Sequence, residues 1–325
     1  MRGKINNRTL LLVLLVFITL FVISRFTSLK KPDRTLKANL IQIDTSRVSS
    51  ILLYPEAEKG KQLEFNKTNT SWTVSREGIS APADAGAVKN TLSELQNLKA
   101  EQLVALSPEN WIEYQVEDSS GTRVVLKEGK KVTLDLIVGR FQYQPPPQSS
   151  YSPYAQNRGI GKTYVRLSGE NEVYSVNGFL SMSLNQEFSR WRNRTISRMN
   201  SSGITRIVFD YPADSGFVAQ RSEAGWMVSG ILADSSSMAK YLQRSTSKTH
   251  SRFADGFQPG QEPDYSLVFE GDNMKPQQIK AFAQEDGSII LNSSFNPGTW
   301  FLFEDRELIM DLFPAYGKLI SGENS

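Results

Sequence analysis

"VSSILLYPEAEKGKQLEFNKTNTSWTVS" (48–75) can be laid over "ITRIVFDYPADSGFVAQRSEAGWMVS" (204–229). Val48 and Ile51 meet Ile204 and Ile207, and Leu63 meets Phe217. Trp72-Thr-Val-Ser75 then meets Trp226-Met-Val-Ser229. Beyond these landmarks Asp84 leads to Val88 and Leu92, and Asp234 leads to Met238 and Leu242 at the same offsets. Self-similarity of this kind marks a repeated supersecondary unit. Each copy reads as strand, strand, strand, helix, with Trp72 and Trp226 as large anchors of the third strands.

More strands follow in both copies. "TRVVLKEGKKVTLDLIVG" (122–139) has a Glu-Gly turn between two apolar runs, and Val132, Leu134, Leu136 and Val138 alternate with their neighbours, as a half-buried strand requires. "TYVRL" (163–167) and "EVYSV" (172–176) form a hairpin through "SGEN". "DYSLVFEGDN", "QQIKAFAQEDGSIILNSS" and "TWFLFED" play the corresponding parts in the second copy, and "DRELIMDLF" (305–313) reads as a short closing helix. The boundary between copies lies in "FLSMSLNQEFSRWRNRTISRMNSSG" (179–203), which opens with a helical pattern and closes on a turn signal.

Asp84 and Asp234 stand immediately before the first helical turn. A carboxylate there accepts from an otherwise unpaired N–H and meets the positive end of the helix dipole. Pro82 biases residue 81 towards an extended lead-in. Val88, Leu92, Leu95 and Leu98 fall on one face. Capping explains the residue, its place and its recurrence, so the two aspartates are structural and not a catalytic pair.

A length of 325 residues suits two domains. A net charge of +3 lacks the dense basic character of a nucleic-acid binder. With no cysteine and a single histidine, His250, the chain has no thiol nucleophile, disulfide, cysteine zinc site or multi-histidine site. "RTLLLVLLVFITLFVISRF" (8–26) contains an uncharged run from Thr9 to Ser24. As a helix that run spans roughly 24 Å, a little short of the ~30 Å hydrocarbon layer, with Arg8 and Arg25 able to snorkel. No small-x-small cleavage site follows, which favours an uncleaved anchor over a signal peptide. Arg2, Lys4 and Arg8 precede the run and Arg25, Lys30, Lys31, Arg34 and Lys37 follow it. Charge alone favours a cytoplasmic body; a short tail before a long body has the look of a signal anchor with an exported one.

The elements "W-x-V-S", "APAD" with its Val/Leu helix, "LDLIVG", "TYVRLSGENEVYSV" and "F-x-R-W-R-N-R" resemble the bacterial domain-of-unknown-function family 4340. The resemblance covers most of residues 40–200 and, more weakly, the second copy. It implies a membrane-anchored protein, often encoded beside ABC transporter components of the gliding-motility type, and it supplies no catalytic residues.

Four further stretches carry residue types associated with chemistry. "GIGKT" (159–163) is the tail of a P-loop without its first glycine, since Gln156 stands there; it reads as the entry to a hairpin. "FQYQPPPQSSYSPYAQNRG" (141–159) is a long insertion whose Tyr143, Tyr151 and Tyr154 could stack on a sugar or a partner. "FSRWRNRTISR" (188–198) brings Arg190, Trp191, Arg192, Arg194 and Arg198 together. These arginines could contact phosphates, acidic lipid or an acidic partner, or hydrogen-bond the linker onto both copies, which is the favoured reading. His250 lies in a polar stretch and reads as solvent-facing.

The sequence therefore predicts an α+β protein of two similar modules, each an antiparallel sheet with a packed helix. The expected divisions are a tail (1–8), a transmembrane anchor (9–24), a linker (25–40), a first module (41–187), an inter-module linker (188–203) and a second module (204–325). The expected role is that of a non-catalytic accessory subunit of an ABC-type transport or gliding-type envelope complex, not an enzyme, with no cofactor and no metal. It would be held at the bacterial inner membrane with a periplasmic body, contacting an ABC-type permease or related membrane protein and no nucleic acid. The competing reading is an envelope glycan-binding protein that uses the 141–159 loop.

Overall fold

Alternation sets the first strand. In Ser50–Tyr54 (β1) Ile51 and Leu53 are buried and their neighbours half-exposed, the period of a strand with one face on a core. Its counterpart, Ile204–Asp210 (β11), buries Ile204, Ile207 and Phe209. The structure is a computed structural model that describes residue 41, residues 43–145 and residues 160–320.

The first sheet adds Leu63–Thr68 (β2), Ser71–Arg76 (β3), Ile79–Pro82 (β4), Ala100–Ala105 (β5), Thr122–Glu128 (β6), Lys131–Gln144 (β7), Ile160–Leu167 (β8) and Val173–Asn177 (β9). Its order is β4-β3-β2-β1-β6-β7-β8-β9-β5, antiparallel at every pairing. The second sheet adds Phe217–Ser222 (β12), Gly225–Val228 (β13), Ile231–Leu232 (β14), Tyr265–Gly271 (β16), Gln277–Ala283 (β17), Ile289–Ser293 (β18) and Trp300–Phe303 (β19). Its order, β14-β13-β12-β11-β16-β17-β18-β19, repeats that of the first. Residues 252–254 complete the likeness, because Phe253 bridges Phe301 where β5 pairs with β9 in the first sheet. Thr195–Arg198 (β10) and Ser247–Thr249 (β15) make a separate two-stranded ribbon.

One long helix packs on each sheet. Ala85–Gln96 (α1) begins at Asp84, whose carboxylate accepts from the Gly86 and Ala87 amides at 2.9 and 3.0 Å. After Trp111–Tyr114 (α2), Leu180–Leu184 (α3) and Phe188–Trp191 (α4) comes the second long helix, Ser235–Ser245 (α5). Asp234 caps it by accepting from the Ser237 amide at 2.7 Å, and that backbone bond holds the Asp234 carboxyl below its ordinary pKa. Tyr316–Ile320 (α6) closes the described chain. Val88, Leu92 and Leu95 of α1 join Phe65, Leu126, Leu136 and Val165 in the first core; Met238, Tyr241 and Leu242 of α5 join Phe209, Phe269 and Phe303 in the second. Each such side chain contributes about 1.5–3 kcal/mol by leaving water. On the opposite face of the first sheet, Val116, Ile137, Tyr164 and Val173 form a smaller cluster, over which Trp111 and Tyr114 pack.

Several expectations need correction. A fourth strand, β4 or β14, lies between the third strand and the helix of each module; "ISAP" and "IL" are too short to show a period. Trp72 and Trp226 are only partly buried and pack at the rim of each core, each under a cation from the neighbouring strand, Lys67 at 6.0 Å and Arg221 at 5.6 Å. The closing segment is a 3-10 turn, Arg306–Ile309, followed by α6, and not one helix over 305–313. His250 does not face solvent: it is half-buried, stacks on Phe303 at 4.0 Å and hydrogen-bonds through Nε2 to the Leu302 carbonyl at 2.7 Å. The tail, anchor and linker expected over 1–40 lie outside the described residues. Among the described residues no helix is long and apolar enough to cross a membrane.

Candidate functional site at the seam

The arginine segment is where the modules meet. Phe188 and Trp191 of α4 belong to the first core, with Trp191 edge-on to Phe65 at 5.1 Å. Ile196 of β10 belongs to the second. The stretch expected to be a linker (188–203) is thus shared out between the cores, and the crossing occurs at residues 192–194. The backbone there also covers a sheet edge: Arg192 bridges Ala83, the Asp84 amide donates to the Trp191 carbonyl at 2.8 Å, and the Asn193 amide donates to Pro82 at 2.7 Å.

Arg192 carries the contact between modules. It is 3% exposed, and both its terminal nitrogens donate to Asp255 at 2.8 Å. Its guanidinium lies 3.6 Å from the Phe253 ring centre and 5.3 Å from that of Phe188. Arg76 also stands over the Phe188 ring, 5.0 Å from its centre. Arg76 in turn donates to Glu58 Oε2 at 2.7 Å, and Glu58 Oε1 accepts from the Phe188 amide at 2.5 Å. Arginine and phenylalanine therefore alternate in a stack from β3 across the seam. Guanidinium on aromatic faces is favourable where water is excluded, and a buried charge is tolerable only when paired. A cleft of about 480 Å³ opens beside this stack. The oxygens of Glu58 and Asp255 that face it are taken by arginine and backbone donors, so the chemistry of the arrangement is that of a clamp. Among the described residues no group of His, Asp and Glu is placed to hold a metal ion.

Trp191 and Arg192 are thus buried, Arg190 and Arg198 exposed, and Arg194 half-buried with its Nε lacking an acceptor. Tyr143, on β7, is 56% exposed; Tyr151 and Tyr154 lie outside the described residues. "IGKT" of the partial P-loop is the start of β8, so the hairpin reading holds. Glu58, Arg76, Phe253 and Asp255 were not singled out from the sequence. Asp255 is 63 positions from Arg192, and no local pattern announces such a pairing.

A second feature follows from comparing the modules. The Asp234 amide donates to the Leu319 carbonyl at 2.9 Å, as Asp84 does to Trp191. Ala233 donates to the Trp226 carbonyl as Ala83 does to Trp72. Among the described residues, however, no strand or bridge covers the outer side of β14. Ile231 and Leu232, each 53% exposed, stand on that open edge, whereas Ala81 in the matching place is 4% exposed.

A duplicated α+β unit of antiparallel sheet and capped helix, clamped at one seam, defines the class of protein. The model of the domain of unknown function family DUF4340 matches residues 72–267, more than half of the chain, and the protein belongs to that family. The match begins at Trp72, crosses the seam and ends in β16, so it extends well into the second module and omits β1 and β2. No curated protein and no solved structure matches the chain.

Proposed function

We propose that this protein is a non-catalytic, membrane-tethered accessory subunit of an ABC-type transport or gliding-type envelope complex, working by protein–protein contact. The observation that carries this reading is the outer edge of β14, which no strand or bridge covers among the described residues. In the first module the equivalent edge receives an extended segment of the chain itself, with Asn193 donating to Pro82. An edge of the same construction, bearing exposed Ile231 and Leu232, suits strand addition by an extended segment of a partner: main-chain bonds give affinity and the apolar side chains give selectivity. The clamp at Arg192 supports the reading by holding the two modules as a platform for that edge.

Photo-crosslinking in the native host, with the probe at Leu232 and a second at exposed Arg190, tests it. A permease or its ATPase-bearing complex should be captured at Leu232, and Ile231→Asp should abolish the capture. Crosslinks to glycan alone, or to no membrane protein, would refute the accessory reading, and glycan capture would favour the envelope-binding alternative.

A further inference from the structure

A second exposed apolar surface lies at the other module. Phe141 of β7 and Phe179 just before α3 stack 5.2 Å apart. Tyr143 follows Phe141 by two positions and so shares its strand face. Gly161 stands opposite Tyr143 in register; a side chain there would collide with Phe141 and Phe179. Met182 lies one turn on from Phe179, its amide donating to the Phe179 carbonyl. Tyr143, Phe179 and Met182 are 56%, 51% and 55% exposed. One exposed apolar residue is ordinary; three contiguous large ones are a surface built for contact.

The position of this surface suggests what it contacts. Residues 1–40 join the body at Ile41. Thr45 donates from its hydroxyl to Gln96 at the end of α1, and Glu94, in the same turn, accepts from Ser183, the neighbour of Met182. The join and the apolar surface therefore share one end of the first module. Lys67 reaches the Ser46 carbonyl there and exposed Lys99 follows α1; the described residues place neither in an ion pair.

We propose that this end of the first module lies against an anionic phospholipid surface, with Tyr143, Phe179 and Met182 in the headgroup layer. The proposal rests on the reading of residues 9–24 as a membrane anchor. A tether ending beside the surface keeps its local concentration at the bilayer high. Of the three, Tyr143 has the apolar body and polar tip favoured at that depth, Phe179 and Met182 add apolar surface, and the nearby Lys67 and Lys99 are drawn to acidic headgroups. The surface is distinct from the β14 edge, so lipid apposition and partner capture stand or fall separately.

The chain contains no cysteine, so one introduced thiol carries one label. Full-length Met182→Cys, Tyr143→Cys and, as a control on the second module, Ile231→Cys would each carry a polarity-sensitive fluorophore. Each is reconstituted into vesicles of mixed phosphatidylcholine and phosphatidylglycerol, with and without brominated acyl chains. Labels at 182 and 143 should shift to the blue and be quenched by brominated lipid several-fold more than the label at 231. Adding Lys99→Glu and Lys67→Glu to the 182 variant should reduce that difference. Equal quenching at 182 and 231 in protein that floats with vesicles overturns the apposition and leaves the anchor reading standing. Protein that does not float overturns both.

Discussion

Asp84 and Asp234 hold the first turns of two helices, and the cost of losing them is local. Asp84→Ala or Asp234→Ala should lower stability by about 1 kcal/mol, and Asn at either position should retain most of it; denaturant melts of the four variants beside the parent check this. His250 behaves differently. Burial, the first cause, lowers its pKa in the fold, so the unfolded chain takes up a proton that the folded chain resists. Stability is then greatest above the unfolded value of about 6.5 and falls as pH drops from there towards the folded value. The difference in Tm between the protein and His250→Gln should shrink between pH 7.5 and 5.5. The cap aspartates were legible in the sequence because a cap is written within four residues. The setting of His250 was not, since its partners Leu302 and Phe303 are contributed by β19, more than fifty positions on.

At the scale of elements, a tight constraint falls on Gly139 in β7. A side chain there would run into the Tyr114 and Gln115 carbonyls, which lie at the end of α2. Gly139→Ala should push α2 off the sheet and expose the cluster around Val116 and Ile137, at a cost typical of overpacking, about 1–3 kcal/mol. Raised amide exchange over residues 108–121, with little change in α1, is the expected signature. The main strands and both long helices could be read from alternation and from the Val/Leu spacing after each aspartate. β4 and β14 could not, yet laying one copy on the other shows how they differ: Ala81 sits on a covered edge, and Ile231 on one that no strand or bridge covers among the described residues. The difference is made by Arg192 and Asn193, which reach back to β4 from more than a hundred positions away.

For the whole molecule the clamp is decisive. Asp255→Ala leaves Arg192 buried with no counter-charge, and because Asp255 is itself about one-third exposed the cost should fall near 2–3 kcal/mol. Arg192→Met with Asp255→Leu should recover part of it, since removing both charges leaves neither unpaired. Calorimetry should show the modules melting together in the native protein and drawing apart in the single variant. The sharing of α4 and β10 between the two cores also imposes an order on synthesis. Chains fold from the N-terminus as they emerge from the ribosome. The first module cannot close over Phe65 until Trp191 is out, nor seal β4 until Arg192 and Asn193 follow. By then translation has reached the ribbon strand of the second module, and the arginine that has just been buried waits for Asp255. A stalled or truncated chain ending anywhere from 188 to 254 would leave that arginine missing or uncompensated, and would offer quality-control proteases an unfinished domain.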